Sequence, residues 1–390
     1  MSTPDTGVWA GLANPPVLFF FLGAFAALVR SSLRVPRPVT KLLALYLLWS
    51  IGFQGGVKLA QGGLHQDAVL ALGIGMLLAC VIPISSFVIL RRFLGPEDSA
   101  ALAAAYGSIS AVTFMTAATV LEARHIPFGG HMVAAMALME SPAIVVAVVM
   151  LRLSQNRARQ GRGEAAGLPA QHADTTPPTP PPTPPTSWPR LLHEAFLNGP
   201  VLLLLGSMLI GICTSERGYA MFKPLCTDLF SGVLVFFLLD LGIQAARSIR
   251  DLLRVGISGG GDGRETDETR RATEGHGGTR RRGRMGTRGG AAGGRVRVWP
   301  LIAFGLLTPP IHAALALGLS RLADLNVGDT VLLMVLAGSA SYIAVPAAIR
   351  LVIPKASPAL YIPLPLAVTF PFNVALGIPL YIWAATHVHF

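Results

Sequence analysis

Charge is scarce in this chain: only 13% of its 390 residues are charged, against about a quarter in an ordinary soluble domain. That excludes a soluble α/β enzyme, and a hydrophobic share of 52% excludes a disordered polymer. Cysteine is scarce as well, with Cys80, Cys213 and Cys226 each in or beside an apolar block. They form neither a disulfide framework nor a metal-ligand motif, and a Cys213–Cys226 bridge across a short outer loop is the one pairing left open. Lysine is nearly absent: Lys41, Lys58, Lys223 and Lys355 stand among 31 basic residues. There is no P-loop, no nucleophile elbow and no metal-binding His/Glu helix. No enzyme and no cofactor are expected from such a sequence. No basic residue precedes the first apolar block, so that block reads as a membrane span rather than a cleaved signal.

What the chain has is apolar blocks of about 20 residues, the length that spans roughly 30 Å of hydrocarbon. They predict an all-α integral membrane protein of about ten transmembrane helices, at 15–30, 39–60, 69–93, 101–121, 129–153, 195–213, 224–247, 298–322, 329–351 and 358–385. Basic residues follow spans one, three, five, seven and nine: Arg34/Arg37, Arg91/Arg92, Arg157/Arg159/Arg162, the Arg247–Arg297 cluster and Arg350/Lys355. The positive-inside rule therefore puts these loops in the cytoplasm and both termini outside. A multi-pass location in a bacterial inner membrane is expected.

Residues 154–194 contain the Pro177–Pro185 tract and read as a Pro/Thr-rich cytoplasmic linker of polyproline character. Residues 251–297 are Gly/Arg low complexity and read as a disordered cytoplasmic loop. Much of the net charge of +11 sits there, so it marks topology rather than nucleic-acid binding. An SH3-like ligand in the first segment and an anionic-lipid surface in the second are the functional alternatives.

The halves resemble each other in order. Asn14-Pro15-Pro16-Val17-Leu18 matches Asn198-Gly199-Pro200-Val201-Leu202, and Gly52-Phe53-Gln54 matches Gly242-Ile243-Gln244. Pro83-Ile84 matches Pro310-Ile311, Gly107-Ser108-Ile109-Ser110 matches Gly338-Ser339-Ala340-Ser341, and Pro142 matches Pro371. Five spans per half is an odd number, so the second half inserts upside down, as in secondary transporters. The expected organisation is a first five-helix repeat over 1–153, the linker, spans six and seven over 195–250, the Gly/Arg loop, and the remainder of the second repeat over 298–390.

Spans four and nine are the least lipid-like. Small residues, hydroxyls and Pro346 allow both to unwind in mid-membrane and cross, exposing backbone N–H groups to an anion and carbonyls to Na⁺. Close packing between helices is the alternative use of such residues. Glu140 stands beside Pro142 in span five, as a Na⁺ ligand, a proton carrier or a structural carboxylate. Asn373 in span ten either bonds across helices or completes the site. Asp240 reads as an anchor, His312 as a hydrogen-bonded core histidine, and Glu122 and Arg350 as residues near helix ends that snorkel.

Gly107 through Thr113, Met139-Glu140-Ser141-Pro142-Ala143, Ala337 through Pro346 and Ser357-Pro358-Ala359-Leu360-Tyr361 together resemble the sodium-dependent bicarbonate transporter family of permeases. The resemblance implies two inverted repeats, a homotrimer, a scaffold of spans one, two, six and seven, and a moving core of the other six. It puts Na⁺ and HCO₃⁻ where spans four and nine cross. Ser110, Thr113, Ser339, Ser341 and Tyr342 then form the substrate-binding set, and Glu140, Ser108 and Asn373 the ion-binding set. The family's pattern has an aspartate where this chain has Tyr342, then Ser and Gly where it has Ala344 and Val345. The reading is an ion-coupled importer of a small anion, bicarbonate by resemblance, with sodium or a proton as coupling ion. Carriage of another anion, cation/proton antiport and a passive anion channel are its rivals.

Overall fold

The computed structural model describes residues 15–63, 65–140, 142–165, 199–257 and 298–388. Asn14, Ser141, Asn198, the Pro/Thr tract and nearly all of the Gly/Arg run lie outside them. The described residues form helices joined by turns, and no strand occurs among them.

Seven helical segments are long and apolar enough to cross a membrane: Arg37–Gly62, Gln66–Leu90, Pro96–Ala123, His131–Asn156, Glu216–Arg250, Val298–Leu322 and Pro358–His387. They overlie predicted spans two to five, seven, eight and ten. Three shorter apolar helices, Pro15–Leu28, Gly199–Cys213 and Val327–Gly338, fall on spans one, six and nine. In chain order we label α1 (Pro15–Leu28), α2 (Arg37–Gly62), α3 (Gln66–Leu90), α4 (Pro96–Gly107), α5 (Ala111–Ala123), α6 (His131–Glu140) and α7 (Pro142–Ala165). The second half holds α8 (Gly199–Cys213), α9 (Glu216–Lys223), α10 (Leu229–Ile257), α11 (Val298–Leu322), α12 (Val327–Gly338), α13 (Ala344–Val352), α14 (Pro358–Tyr361), α15 (Phe370–Phe372) and α16 (Ile378–His387). Pro36, Gly95 and Ser357 precede prolines or Arg-Pro at helix starts, where the missing N–H costs nothing.

Prolines and hydroxyls reshape several predicted spans. Span four divides into α4 and α5, and span nine into α12 and α13. Span seven begins earlier than its hydropathy suggested, with α9 running through a widened π turn at Pro224–Asp228 into α10. Span ten contains two more π turns, Pro365–Thr369 and Asn373–Gly377, around α15. A π turn closes its hydrogen bond one residue later than an α turn, which accommodates Pro365 at its start.

α1 packs along α10, and α8 along α2. Glycines permit both approaches. Gly23 rests on the Leu239 carbonyl and Gly242 on that of Phe20, while Gly56 rests on the Met208 carbonyl and Gly211 on that of Phe53. Without apolar solvent transfer to drive association inside lipid, such backbone contact supplies the cohesion. Hydrogen bonds tie α2 to the α10 chain at two levels. Thr40 Oγ1 donates to Asp240 at 2.6 Å. Further along, Ser50 Oγ donates to the Cys226 carbonyl in the π turn at 2.7 Å, joined there by Gln54 Nε2. The three cysteines are free thiols. His312 lies 3.3 Å from Ser85 Oγ, between α11 and α3.

α4 and α12 are enclosed by protein. Every residue from Ser99 to Gly107, and from Gly328 to Gly338, is buried. Between Ala100 and Ala105 every residue but Leu102 is alanine, so neighbouring helices pack closely around this segment and bury Leu102 as well. α3 and α11 pack against this centre, and with α1 they carry the exposed Leu18, Phe25, Val69, Leu77, Leu307 and Ile311.

Candidate functional site: the crossing of two broken helices

α4 ends at Gly107 and α12 at Gly338, after 12 residues each. The next residue leaves the helix in nearly the same conformation both times: φ −88°, ψ 168° at Ser108 and φ −89°, ψ 168° at Ser339. Each terminal glycine sits against a proline-bearing helix of its own half. A Cβ on Gly107 would lie 2.7 Å from the Pro83 ring, and one on Gly338 would lie 3.0 Å from the Pro309 carbonyl oxygen.

The two interruptions touch. The Ser110 N–H donates to Ser339 Oγ at 3.0 Å, and the Ser341 N–H donates to the Ala105 carbonyl at 2.8 Å. At one end of the pair, Gly129 N–H, just beyond α5, meets Asp329 at the start of α12. At the other, Ser357 N–H, just beyond α13, meets Asp98 at the start of α4. These contacts require the two broken helices to run antiparallel. The C-termini of α4 and α12 and the N-termini of α5 and α13 therefore converge in the middle, with free carbonyls from one pair and free N–H groups from the other.

The proposed substrate residues all lie here and are all buried. Their hydroxyls are unequally occupied. Ser110 Oγ accepts the Thr113 N–H at 3.2 Å and caps α5, while Ser341 Oγ, two residues before the N-cap position of α13, accepts the Val345 N–H in its first turn at 3.3 Å. Ser339 Oγ accepts from Ser110 and donates to the Leu336 carbonyl at 3.0 Å, which spends its proton. Thr113 Oγ1 and the Tyr342 hydroxyl have no hydrogen-bond partner among the described residues. The Tyr342 hydroxyl lies beside the Ser110 side chain without closing a bond of normal geometry. A serine hydroxyl that only accepts still has its proton to give. Ser110, Thr113, Ser341 and Tyr342 thus hold four O–H donors in a buried place.

The ion-binding candidates are arranged around this centre. Ser108 Oγ donates to the backbone carbonyl of Glu140 at 3.3 Å, which joins the first interruption to the break between α6 and α7. The Glu140 side chain is half-buried, and no described group hydrogen-bonds its carboxylate. Asn373 is fully engaged: Nδ2 donates to the Gly338 carbonyl at 2.8 Å, and Oδ1 accepts from the Tyr381 hydroxyl at 2.9 Å. It holds a carbonyl of the second interruption rather than offering a free ligand. Asp240 and Glu122 are elsewhere, on Thr40 and on Lys58 respectively.

Sequence reasoning missed Tyr106 and Thr369. The Tyr106 hydroxyl meets Thr369 Oγ1 at 2.6 Å, and Thr369 donates onward to the Gly305 carbonyl at 2.8 Å, so Tyr106 is the donor. A signal was available, because Thr369 stands two residues before Pro371 as Glu140 stands two before Pro142. Phe370, next to it, packs edge-on against Tyr342 at 5.4 Å and against Phe20 of α1 at 5.3 Å. Among the described residues, no cluster of His, Cys, Asp and Glu could hold a metal ion.

The family described as the Na⁺-dependent bicarbonate transporter superfamily matches residues 15–259 and 286–386. Between residues 15 and 386 the match runs through the Pro/Thr linker and omits the middle of the Gly/Arg loop. No curated protein matches the chain. The match covers most of the sequence, and the chain belongs to the Na⁺-dependent bicarbonate transporter superfamily. It is a membrane transport protein.

Proposed function

We propose that this member of the superfamily is a secondary transporter that imports bicarbonate with Na⁺ and holds the anion where α4/α5 and α12/α13 cross. The observation that carries the reading is the set of four buried hydroxyl protons of Ser110, Thr113, Ser341 and Tyr342, beside two inward-facing helix N-termini. Bicarbonate has three oxygens and almost no apolar surface. Leaving water costs it hydrogen bonds that only other donors replace. Four O–H groups and the partial positive charge of two helix ends suit that need. Ser339 keeps the two interruptions in register. The carboxylate of Glu140 and the carbonyls freed at both helix C-termini are oxygen donors of the kind Na⁺ takes.

The wider architecture we infer is ten transmembrane helices in two inverted five-helix repeats, with both termini outside a bacterial inner membrane. Three features support it. The broken helices are antiparallel and leave the helix with matching angles. Span one pairs with span seven as span six pairs with span two, the exchange an inverted repeat demands. The basic loops all follow odd-numbered spans. A homotrimer with the α1/α10 and α2/α8 pairs as scaffold follows from the family resemblance.

Uptake of labelled bicarbonate into proteoliposomes, with and without an inward Na⁺ gradient, tests the function. Accumulation that needs the gradient is expected. Equal flux without it would leave a passive channel, and no flux would leave another substrate. Tyr342 favours one second reading. An uncharged phenol stands at the family's aspartate position, which suits coupling through Glu140 alone and a proton in place of Na⁺.

A further inference from the structure

Two aspartates outside the crossing stand in equivalent places. When Gly107 is aligned with Gly338, Asp98 aligns with Asp329, each nine residues before its glycine and in the first turn of its helix. Nine helical residues span about 13 Å, close to half the roughly 30 Å of a bilayer's hydrocarbon core. A crossing at the membrane centre therefore puts the two carboxylates at opposite faces.

Each carboxylate reaches past its own helix to the other half of the chain. Asp98 accepts the Ser357 N–H at 2.7 Å, at the residue that opens α14. Asp329 accepts the Gly129 N–H at 2.7 Å, at the turn that opens α6. An acid in a first turn is ordinarily a partner for its own helix dipole. Here each one instead holds the start of the segment that carries the other half's ion or carbonyl residue: Glu140 beyond Gly129, Asn373 beyond Ser357. The two ends differ in strength. Asp329 is fully buried, takes a second bond from Asn326 Nδ2 at 2.6 Å and lies 3.2 Å from His131 Nε2. Asp98 is half-buried and holds the single backbone N–H.

We propose that Asp98 and Asp329 are a pair of positioning residues that clamp the two halves of the chain together at opposite ends of the broken helices and so set the register of the central crossing. A short helix is stiff along its axis. Fixing the first turn of α12 against the turn before α6 fixes where Gly338 and Ser339 stand, and with them the Ser339 oxygen that receives the Ser110 N–H. Asp98 does the same for Gly107 through α4. Charge-assisted bonds suit this role because they are short and strong. The proposal deepens the reading of the crossing as the anion site, but its first test needs no substrate.

Cysteines replace Ser110 and Ser339 in a full-length chain whose three native cysteines are changed to alanine, with a protease site inserted between residues 166 and 198. After mild oxidation and cleavage, a disulfide keeps the two fragments together, and its yield reports the crossing. Asp329→Ala is expected to lower that yield severalfold at equal amounts of membrane-inserted protein. Asp329→Asn, which keeps an acceptor oxygen, is expected to restore most of it. Asp98→Ala is expected to give a smaller loss. An unchanged yield in Asp329→Ala overturns the proposal. Should that variant fail to insert, an unchanged yield in Asp98→Ala overturns it instead. With native serines and a transported anion in hand, Asp329→Ala should raise the apparent substrate constant about tenfold and leave maximal turnover within twofold. A loss confined to turnover or to thermal stability would contradict positioning, whereas absent uptake in the unsubstituted protein would count only against the function.

Discussion

The two interrupted helices begin alike and end differently. Both stop after 12 residues at a buried glycine, and both release a serine into the same extended conformation. The first then needs only Ser108–Ser110 before α5 resumes for 13 residues, capped by Ser110. The second takes Ser339–Ile343 before the nine-residue α13, whose N-cap position, Ile343, supplies no side-chain cap. Tyr342 and Ile343 occupy the extra length, and the Ile343 side chain is exposed. The first interruption is thus a tight, self-capped joint. The second is longer, carries the largest unpartnered polar group at the crossing among the described residues, and is linked to α1 by the Tyr342–Phe370–Phe20 chain of rings. One joint is short and capped, while the other leaves a buried hydroxyl without a partner.

The sharpest way to break this contrast is to crowd the glycines. A Cβ at Gly107 meets three atoms of the Pro83 ring within 2.8 Å, and a ring cannot turn aside. A Cβ at Gly338 meets the Tyr381 hydroxyl at 2.8 Å and the Pro309 carbonyl at 3.0 Å. Overpacking of this kind costs about 1–3 kcal/mol. Gly107→Ala is expected to lower thermal stability in detergent more than Gly338→Ala and to cut transport more than tenfold. The reverse order would show that the second joint is the rigid one.

Next in size is Glu140→Gln. The carboxylate beside the first joint should organise the coupling cation, so the variant is expected to reach the membrane normally and lose most of its cation dependence. Flux measured against Na⁺ and against a pH gradient checks it, and unchanged dependence on both reduces Glu140 to a structural carboxylate.

The hydroxyls sharpen the comparison further. Losing one neutral hydrogen bond costs roughly 0.5–1.5 kcal/mol, a factor of about threefold to tenfold in the apparent substrate constant. Ser110→Ala and Ser341→Ala should show this together with a fall in stability, because both oxygens also hold helix starts. Thr113→Val and Tyr342→Phe should weaken affinity by a similar factor with stability unchanged, because their hydroxyls hold nothing in the resting protein. Loss of stability without loss of affinity in the second pair would return these residues to helix packing. Tyr342→Asp is expected to strengthen Na⁺ dependence.

The smallest effect is expected from removing residues 260–285, the part of the Gly/Arg loop that the family match omits. Uptake at matched expression should stay within twofold. A larger loss would give that loop a function of its own.

Much of the fold was legible because lipid imposes a simple length rule, and apolar runs such as Gln66–Leu90 follow it closely. The interruptions were legible because Gly-Ser-Ile-Ser and Gly-Ser-Ala-Ser offer backbone freedom and caps where an apolar helix ordinarily offers neither. Occupancy was not legible. Nothing in the sequence says that Ser339 spends its proton on Leu336, or that Asn373 is used up by Gly338 and Tyr381, since both depend on which helices meet. The aspartates were hidden for a related reason. Acids in a first turn are commonplace, and only the partner segments distinguish Asp98 and Asp329.

The π turns of Pro365–Thr369 and Asn373–Gly377 make the effect of residue count in the last apolar stretch depend on position. Each closes a hydrogen bond over one residue more than an α turn does, from Phe370 N–H to the Pro365 carbonyl and from Ile378 N–H to the Asn373 carbonyl. Deleting a single residue inside Asn373–Gly377 would let that turn relax to α with little change in how its flanks face, whereas deleting Ile378, Pro379 or Leu380 from the regular helix that follows would turn Tyr381 by about 100°. Tyr381 would leave Asn373, and the Gly338 carbonyl would lose its support, although no side chain in the network had been altered. Between the π turns and Tyr381 residue count matters as much as composition, and a one-residue deletion there should behave as a point mutation of the crossing itself.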